Sequence, residues 1–285
     1  MRKTTFFWIF LVYIIPVGIW AQTSQDSITV CNIRWKIQKG DKGIIHKRAQ
    51  VKELYGGVQN INIIEIDGKK KGIKYGIIAE NPNKKLSTMA TEHHAQAAIN
   101  GSFFNMQEGQ SVCFLQLDGN LIDTTSLSEF RQRTNGIVLI NKNKIAIEPW
   151  DKQKERSGTT YPNALASGPL MVENGNICDF STVSQSFVNT KHPRSAICIT
   201  RDRKVLLITV DGRFPGNAIG VNIHEFAHLV KLLGAYDALN LDGGGSTSLW
   251  MDQAGENGIV NCPCDNRKFD HQGERRIANA IYVYK

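Results

Sequence analysis

Apolar and polar positions along this 285-residue chain follow two periods, and each predicts a different element. The run Val58-Gln59-Asn60-Ile61-Asn62-Ile63-Ile64-Glu65-Ile66 partly alternates, the period-two mark of a strand, and stops at Asp67-Gly68. Ile28 to Trp35 mixes β-branched and aromatic residues and is also expected to be strand. Leu86 to Ala95 predicts a helix that leads into apolar Ala97-Ala98-Ile99. Hairpins are expected at Leu115 to Leu121, around Asp118-Gly119-Asn120, and at Gly136 to Ile147, around Asn141-Lys142-Asn143. Val205 to Val210, Ala238 to Leu241 and Ile277 to Tyr284 read as further strands. Lys69-Lys70-Lys71 and the stretch from Lys152 to Pro162 read as exposed turn and loop. One long helix is marked at both ends. Asn222 is its N-cap, Ile223, Phe226, Ala227 and Val230 recur at i, i+3, i+4 and i+7, and Gly234 closes it. With no internal repeat and no low-complexity linker, the fold class is α+β. The expectation is a single compact domain with mixed β-sheets, packed helices and a cleft at strand ends, to which residues 22–71 contribute N-terminal strands.

The start of the chain has another pattern. Arg2 and Lys3 precede an apolar run from Phe6 to Trp20, and small Ala21 is followed by polar Gln22-Thr23-Ser24. This is the arrangement of a signal peptide, residues 1–21, cut after Ala21. The run is too short for a membrane span, which needs about 20 apolar residues. An exported protein without a membrane span after signal cleavage is therefore expected. In that setting the six cysteines, Cys31, Cys113, Cys178, Cys198, Cys262 and Cys264, can form disulfides, in any of 15 complete pairings. Cys262-Pro263-Cys264 lacks the second pair that would complete a zinc site.

Composition removes several function classes. With 41% hydrophobic residues, 21% charged and 8 prolines, the chain is neither disordered nor fibrous. The net charge of +8 falls to +6 once Arg2 and Lys3 leave with the leader. The basic residues are scattered and not interleaved with aromatics, so no nucleic acid partner is expected. An anionic small substrate suits that excess better.

Two segments carry candidate chemistry. His224-Glu225-Phe226-Ala227-His228 matches the H-E-x-x-H zinc-peptidase pattern, with both imidazoles on one helix face. Lys231 and Gly234 stand where a longer form of that motif has a glycine and a third histidine, and Glu256 and Glu274 are the downstream alternatives for a third ligand. The second segment is Asn240-Leu241-Asp242-Gly243-Gly244-Gly245-Ser246-Thr247-Ser248. Here a strand delivers a carboxylate to its end, and three glycines permit close approach and a concave row of N–H groups suited to an anion. Asp211-Gly212-Arg213, His192-Pro193-Arg194-Ser195 and Asn100-Gly101-Ser102-Phe103-Phe104-Asn105 are further polar groups at strand edges, as in a convergent site.

These motifs, together with Ser167-Gly168-Pro169 and Gly273-Glu274-Arg275 through Asn279, occur in an order that resembles the phosphodiester glycosidase family. The resemblance covers residues 72–285. It implies hydrolysis of a sugar 1-phosphodiester, such as N-acetylglucosamine-1-phospho-6-mannose, with a glycan or sugar phosphate as partner; no cofactor or metal site is assigned, and a divalent ion held by Asp and backbone oxygens stays open. On the chemistry of that reaction Asp242 is the first catalytic candidate, with Asp211 and Glu225 behind it. Arg194, Arg213 and Arg275 would hold phosphate with the amides of Gly243, Gly244, Gly245 and Ser246. Asn100, Ser102, Phe104, Ser167, Asn240, Thr247 and Glu274 complete the expected substrate contacts. Two other readings compete: a non-catalytic module that binds phosphate-decorated glycans, and a zinc peptidase using His224, Glu225 and His228.

Overall fold

The computed structural model describes residues 24–41 and 43–285. The expected leader lies outside them. Among the described residues no helix is long and apolar enough to cross a membrane.

Three antiparallel sheets form one mixed α+β domain. The largest has eight strands, in the order β1 (Lys36–Lys39), β2 (Ile44–Leu54), β3 (Gly57–Asp67), β14 (Lys204–Val210), β13 (Arg194–Thr200), β15 (Ala235–Asn240), β11 (Leu170–Glu173) and β12 (Asn176–Ile177). The second runs β7 (Asn120–Asp123), β6 (Leu115–Leu117), β10 (Asn163–Ser167), β8 (Gly136–Asn141), β9 (Lys144–Pro149). The third runs β16 (Leu249–Met251), β5 (Ala97–Asn100), β17 (Arg276–Tyr284), β4 (Lys74–Lys85).

Alternation along the central strands explains the layering, because successive side chains leave opposite faces. Ile64 and Ile66 of β3 and Val205 and Leu207 of β14 join a core with Ile99, Val138, Leu165 and Ile281 from the smaller sheets. Their neighbours Ile61, Ile63, Leu206 and Ile208 face the other way, against Phe226, Ala227 and Val230 of helix α6 (Ile223–Leu232). Covered on both faces, these strands read as near-continuous apolar runs rather than clean alternation. Helix α6 carries the expected cap: Asn222 Oδ1 accepts from Glu225 N at 2.9 Å, and Glu225 Oε2 accepts from Asn222 N at 3.0 Å.

Two expectations need correction. Ile28 to Trp35 is not a strand, since Ser24–Cys31 forms helix α1. Its buried residues, Asp26 and Val30, lie one helical turn apart, while Ile28 is left 54% exposed. The Asp26 carboxylate accepts from Tyr55 N at 2.9 Å and docks the helix, so tertiary anchoring overrides β-branched propensity. Within the supposed loop after Trp150, Lys152–Ser157 forms a short exposed helix, α4. Asp151 Oδ1 caps it by accepting from Gln153 N at 2.8 Å and Lys154 N at 2.9 Å, and Gly158 closes it. The remaining helices are α2 (Leu86–Glu92), α3 (Leu127–Gln132) and α5 (Gln185–Asn189). All six cysteines are free thiols.

Candidate active site

The ends of β5, β13 and β15 meet, and Asn100 ties them together. Its Oδ1 accepts from Ser195 Oγ at 2.7 Å and from Ser248 N at 3.1 Å, and its Nδ2 donates to Asp242 O at 2.7 Å. Asn240 Nδ2 donates to Gly168 O at 2.7 Å and Leu241 O at 2.8 Å. Asp242 N donates to Gly101 O at 2.9 Å, and Ser102 N donates to Asn279 Oδ1 at 2.7 Å. Gly101 is required here, because a Cβ would sit 2.0 Å from Asn279 Oδ1. Motifs scattered from residue 100 to residue 279 thus become one polar constellation. Seven of its buried side-chain atoms have no protein partner: Ser102 Oγ, Ser167 Oγ, Asn240 Oδ1, Ser246 Oγ, Thr247 Oγ1, Ser248 Oγ and Asn279 Nδ2. Buried polar groups are paired in roughly nine cases out of ten, so this grouping stands out.

Asp242 is half-buried at the centre. Burial pushes its carboxyl above the ordinary carboxylate range, while the Ser246 hydroxyl, the Arg133 guanidinium, Gly243 N and Arg275 favour the ionised form. Ser246 Oγ acts from nearby without completing a hydrogen bond of normal geometry. Gly243 N donates to Asp242 Oδ1 at 2.8 Å.

The glycine loop differs from the expected row of free N–H groups. Gly244 N donates to Pro193 O at 2.8 Å and Ser246 N to Gly243 O at 3.2 Å, so the loop is partly closed on the protein itself. Its glycines instead admit arginines. A Cβ on Gly244 would lie 3.0 Å from Arg213 Nη2, and one on Gly245 would lie 2.3 Å from Arg275 Nη2. Arg275 is held by Asp265 through bonds of 2.7 and 2.9 Å. Arg194 is 1% exposed and donates only to carbonyls, those of Val221, Phe187 and Thr190. Burial, with Arg133 and Arg213 close by, pulls its pKa down to about 9, against the opposing pull of Asp242.

Arg133, absent from the sequence-based candidates, belongs to this group. It grips Glu129 through two 2.8 Å bonds, and its guanidinium lies 3.7 Å from the centre of the Phe103 ring. Its chain position offered only an i, i+4 pair with Glu129, an ordinary helix feature that says nothing about Asp242.

Three other acidic candidates have partners of their own. Asp211, with no exposed surface, accepts from Asn60 Nδ2 at 2.7 Å, Asn261 Nδ2 at 2.9 Å and Cys262 N at 3.0 Å. Burial raises its pKa from 3.8 to about 6. The folded state therefore holds this proton more tightly, and the stability it contributes below pH ~4 is lost as pH rises through about 6. Glu225 serves the α6 cap and pairs with Lys191 at 2.9 Å. Glu274 accepts from Ser87 N at 2.9 Å and Ser87 Oγ at 2.7 Å, holding the first turn of α2. Phe103 is buried beneath Arg133, whereas Phe104 borders a cavity of about 560 Å³ with Met106, Asp265, Glu274 and Arg275.

The H-E-x-x-H segment is not arranged for zinc. His228 meets Tyr55 Oη at 2.7 Å through Nδ1 and Ser27 Oγ at 2.9 Å through Nε2, and Glu225 is occupied as above. Among the described residues no three His, Cys, Asp or Glu side chains gather at one point. His228 joins α1 and Tyr55 to α6, so His228→Ala should leave metal content and turnover unchanged. It should lower stability by about 1–3 kcal/mol through the unpaired Tyr55 hydroxyl, measured by denaturant titration.

A carboxylate and four arginines, three of them near strand ends and Arg133 at the end of α3, thus make up the polar centre of the molecule. The chain belongs to the phosphodiester glycosidase family, whose family model matches residues 93–284. It is 24% identical over 194 residues to N-acetylglucosamine-1-phosphodiester alpha-N-acetylglucosaminidase of Mus musculus, covering 62% of this chain and 36% of that protein. The Homo sapiens protein of the same name is 28% identical over 172 residues, 55% of this chain and 32% of that one. The matches thus span about a third of the length of these relatives. Among solved structures, the zebrafish catalytic domain of that enzyme, auto-inhibited by its pro-peptide, superposes with a TM-score of 0.66 at 16% identity, covering 89% of each chain. A hypothetical protein from Synechocystis superposes with a TM-score of 0.64 at 19% identity, covering 88% of this chain and 64% of that one. At these identities the structural likeness speaks for the fold.

Proposed function

We propose that this chain is an exported hydrolase that cleaves the anomeric C–O bond of a sugar 1-phosphodiester, for example N-acetylglucosamine-1-phospho-6-mannose, to free sugar and a phosphomonoester. The observation that carries the reading is the juxtaposition of Asp242 with Arg133, Arg194 and Arg275, each of which interacts electrostatically with it. The leaving phosphomonoester is already an anion with a second pKa of about 6, so it needs cations rather than a proton donor. Arginine supplies them in a form matched to phosphate oxygens. Positive charge that develops at the anomeric carbon falls to Asp242, whose ionised form either stabilises it or activates water.

The test follows phosphorus NMR signals of a panel of sugar 1-phosphodiesters incubated with the full chain. Conversion to a phosphomonoester with equimolar free sugar is expected. Release of a sugar 1-phosphate instead would place the cut on the wrong side of the phosphate and reject the reading.

A further inference from the structure

We infer that Asp211 is a positioning residue, one buried carboxylate that sets the aim of both arginines lying over the glycine loop, Arg213 and Arg275. This rests on the glycosidase reading only for its purpose; the geometry stands on its own. Asp211 holds the Asn261–Asp265 loop from inside, through Asn261 Nδ2 and Cys262 N. That loop then reaches both arginines. Cys264 Sγ lies 3.8 Å from Arg213 Nη1, and Asp265 takes Arg275 in a two-point grip. The loop is also laid directly on the segment that carries Arg275: Asp265 N donates to Gly273 O at 3.2 Å, and a Cβ on Gly273 would stand 2.1 Å from Pro263 O.

Arg213 is constrained from its own side as well. It follows Asp211 by two residues, through Gly212, where a Cβ would meet the backbone of Pro193 at 2.8 Å and of Gly220 at 2.9 Å. Its φ of 67° is a left-handed conformation that a non-glycine residue adopts at a cost. Its guanidinium reaches Cys264 Sγ through Nη1 and His192 Nδ1, at 3.5 Å, through Nη2.

The manner of burial points the same way. Among the described residues Asp211 has no cationic partner within ion-pair distance, only three N–H donors. A neutral side chain would fill the space more cheaply, since a buried charge without a counter-ion is costly. An ionised carboxylate accepts from three N–H groups at once, whereas an amide in its place has a single acceptor oxygen and adds two donors that face donors. The charge is therefore suited to keeping the loop in one place.

The test uses the full chain, with Asp211→Asn as the main variant. The two arginine Nε–H resonances are observed by nitrogen-15 NMR and assigned from Arg213→Lys and Arg275→Lys. Both should move in Asp211→Asn while the Arg133 Nε–H resonance stays in place. Inorganic phosphate binding by calorimetry should weaken roughly 10-fold, and the loss should shrink to about 2-fold or less in an Arg213→Ala/Arg275→Ala background, as for coupled residues. Unmoved resonances, or a full additive loss in that background, would overturn the inference. If phosphate binding in that background is too weak to measure, the resonances decide. Should Asp211→Asn fail to fold, Asn60→Ala removes one donor from the carboxylate at a half-buried position and must shift the same two resonances by a smaller amount, or the inference fails. Neither readout needs turnover, so a wild-type chain that binds phosphate and hydrolyses nothing would retire the glycosidase reading alone.

Discussion

Replacing Asp242 with asparagine is expected to lower turnover of a sugar 1-phosphodiester by at least about 10²–10³-fold, with the thermal melting temperature little changed. The side chain is isosteric and its contact with Gly243 N can be kept by the amide oxygen, so the fold loses little. What disappears is the negative charge that the proposed reaction sets opposite the anomeric carbon. KM should change far less than kcat, because the charge develops in the transition state and not in the bound substrate. The pH profile should carry the same signature. Since burial raises the Asp242 pKa, the acidic limb of kcat/KM should lie above the ordinary carboxylate range, with rate lost as pH falls through it. A variant that retains near-native kcat would remove Asp242 from the chemistry.

Arg133→Met should have the largest effect on stability, a loss of about 3–5 kcal/mol. The reason is Glu129, only 6% exposed, which loses its two-point partner and is left as an uncompensated buried carboxylate. Adding Glu129→Gln should restore most of that loss by removing the stranded charge. Activity should not return with it. Arg133 favours the ionised form of Asp242, so its removal should push the acidic limb of the pH profile further up in both the single and the double variant. Denaturant titration and pH–rate profiles on the three proteins separate the two roles. Recovery of both stability and rate in the double variant would show that Arg133 serves the fold alone.

How far the sequence could be read depended on the range over which each signal acts. Helix α6 was legible because its cap, its apolar stripe and its closing Gly234 all lie within a dozen or so residues, and the structure keeps each of them. The β8–β9 hairpin was legible for the same reason. Helix α1 was not, because what makes it helical is a docking contact between Asp26 and Tyr55, far along the chain. At the site, Asn100, Asn240 and Asp242 could be singled out as polar residues at the ends of apolar strands. Arg133 could not, since its tie to Asp242 is purely spatial, and its neighbours in sequence explain it completely as a partner of Glu129. Glu225 and Glu274 show the converse: each carboxylate sits in a suggestive motif, and only the folded chain reveals the bond it makes at a helix start.

The position of β3 has a practical consequence. This strand pairs with β14 along seven residues, from Lys204 opposite Asp67 to Val210 opposite Ile61, yet it precedes the 93–284 stretch that defines the family. A chain cut back to that stretch would leave β14 with a row of unpaired N–H and C=O groups flanked by bare apolar side chains. It would also strip β4 from β17. Such an open border is a template for pairing with another copy, so the shortened chain should self-associate more readily than the full one. The strands ahead of residue 93 are thus what keep this sheet from ending in an adhesive edge at β14.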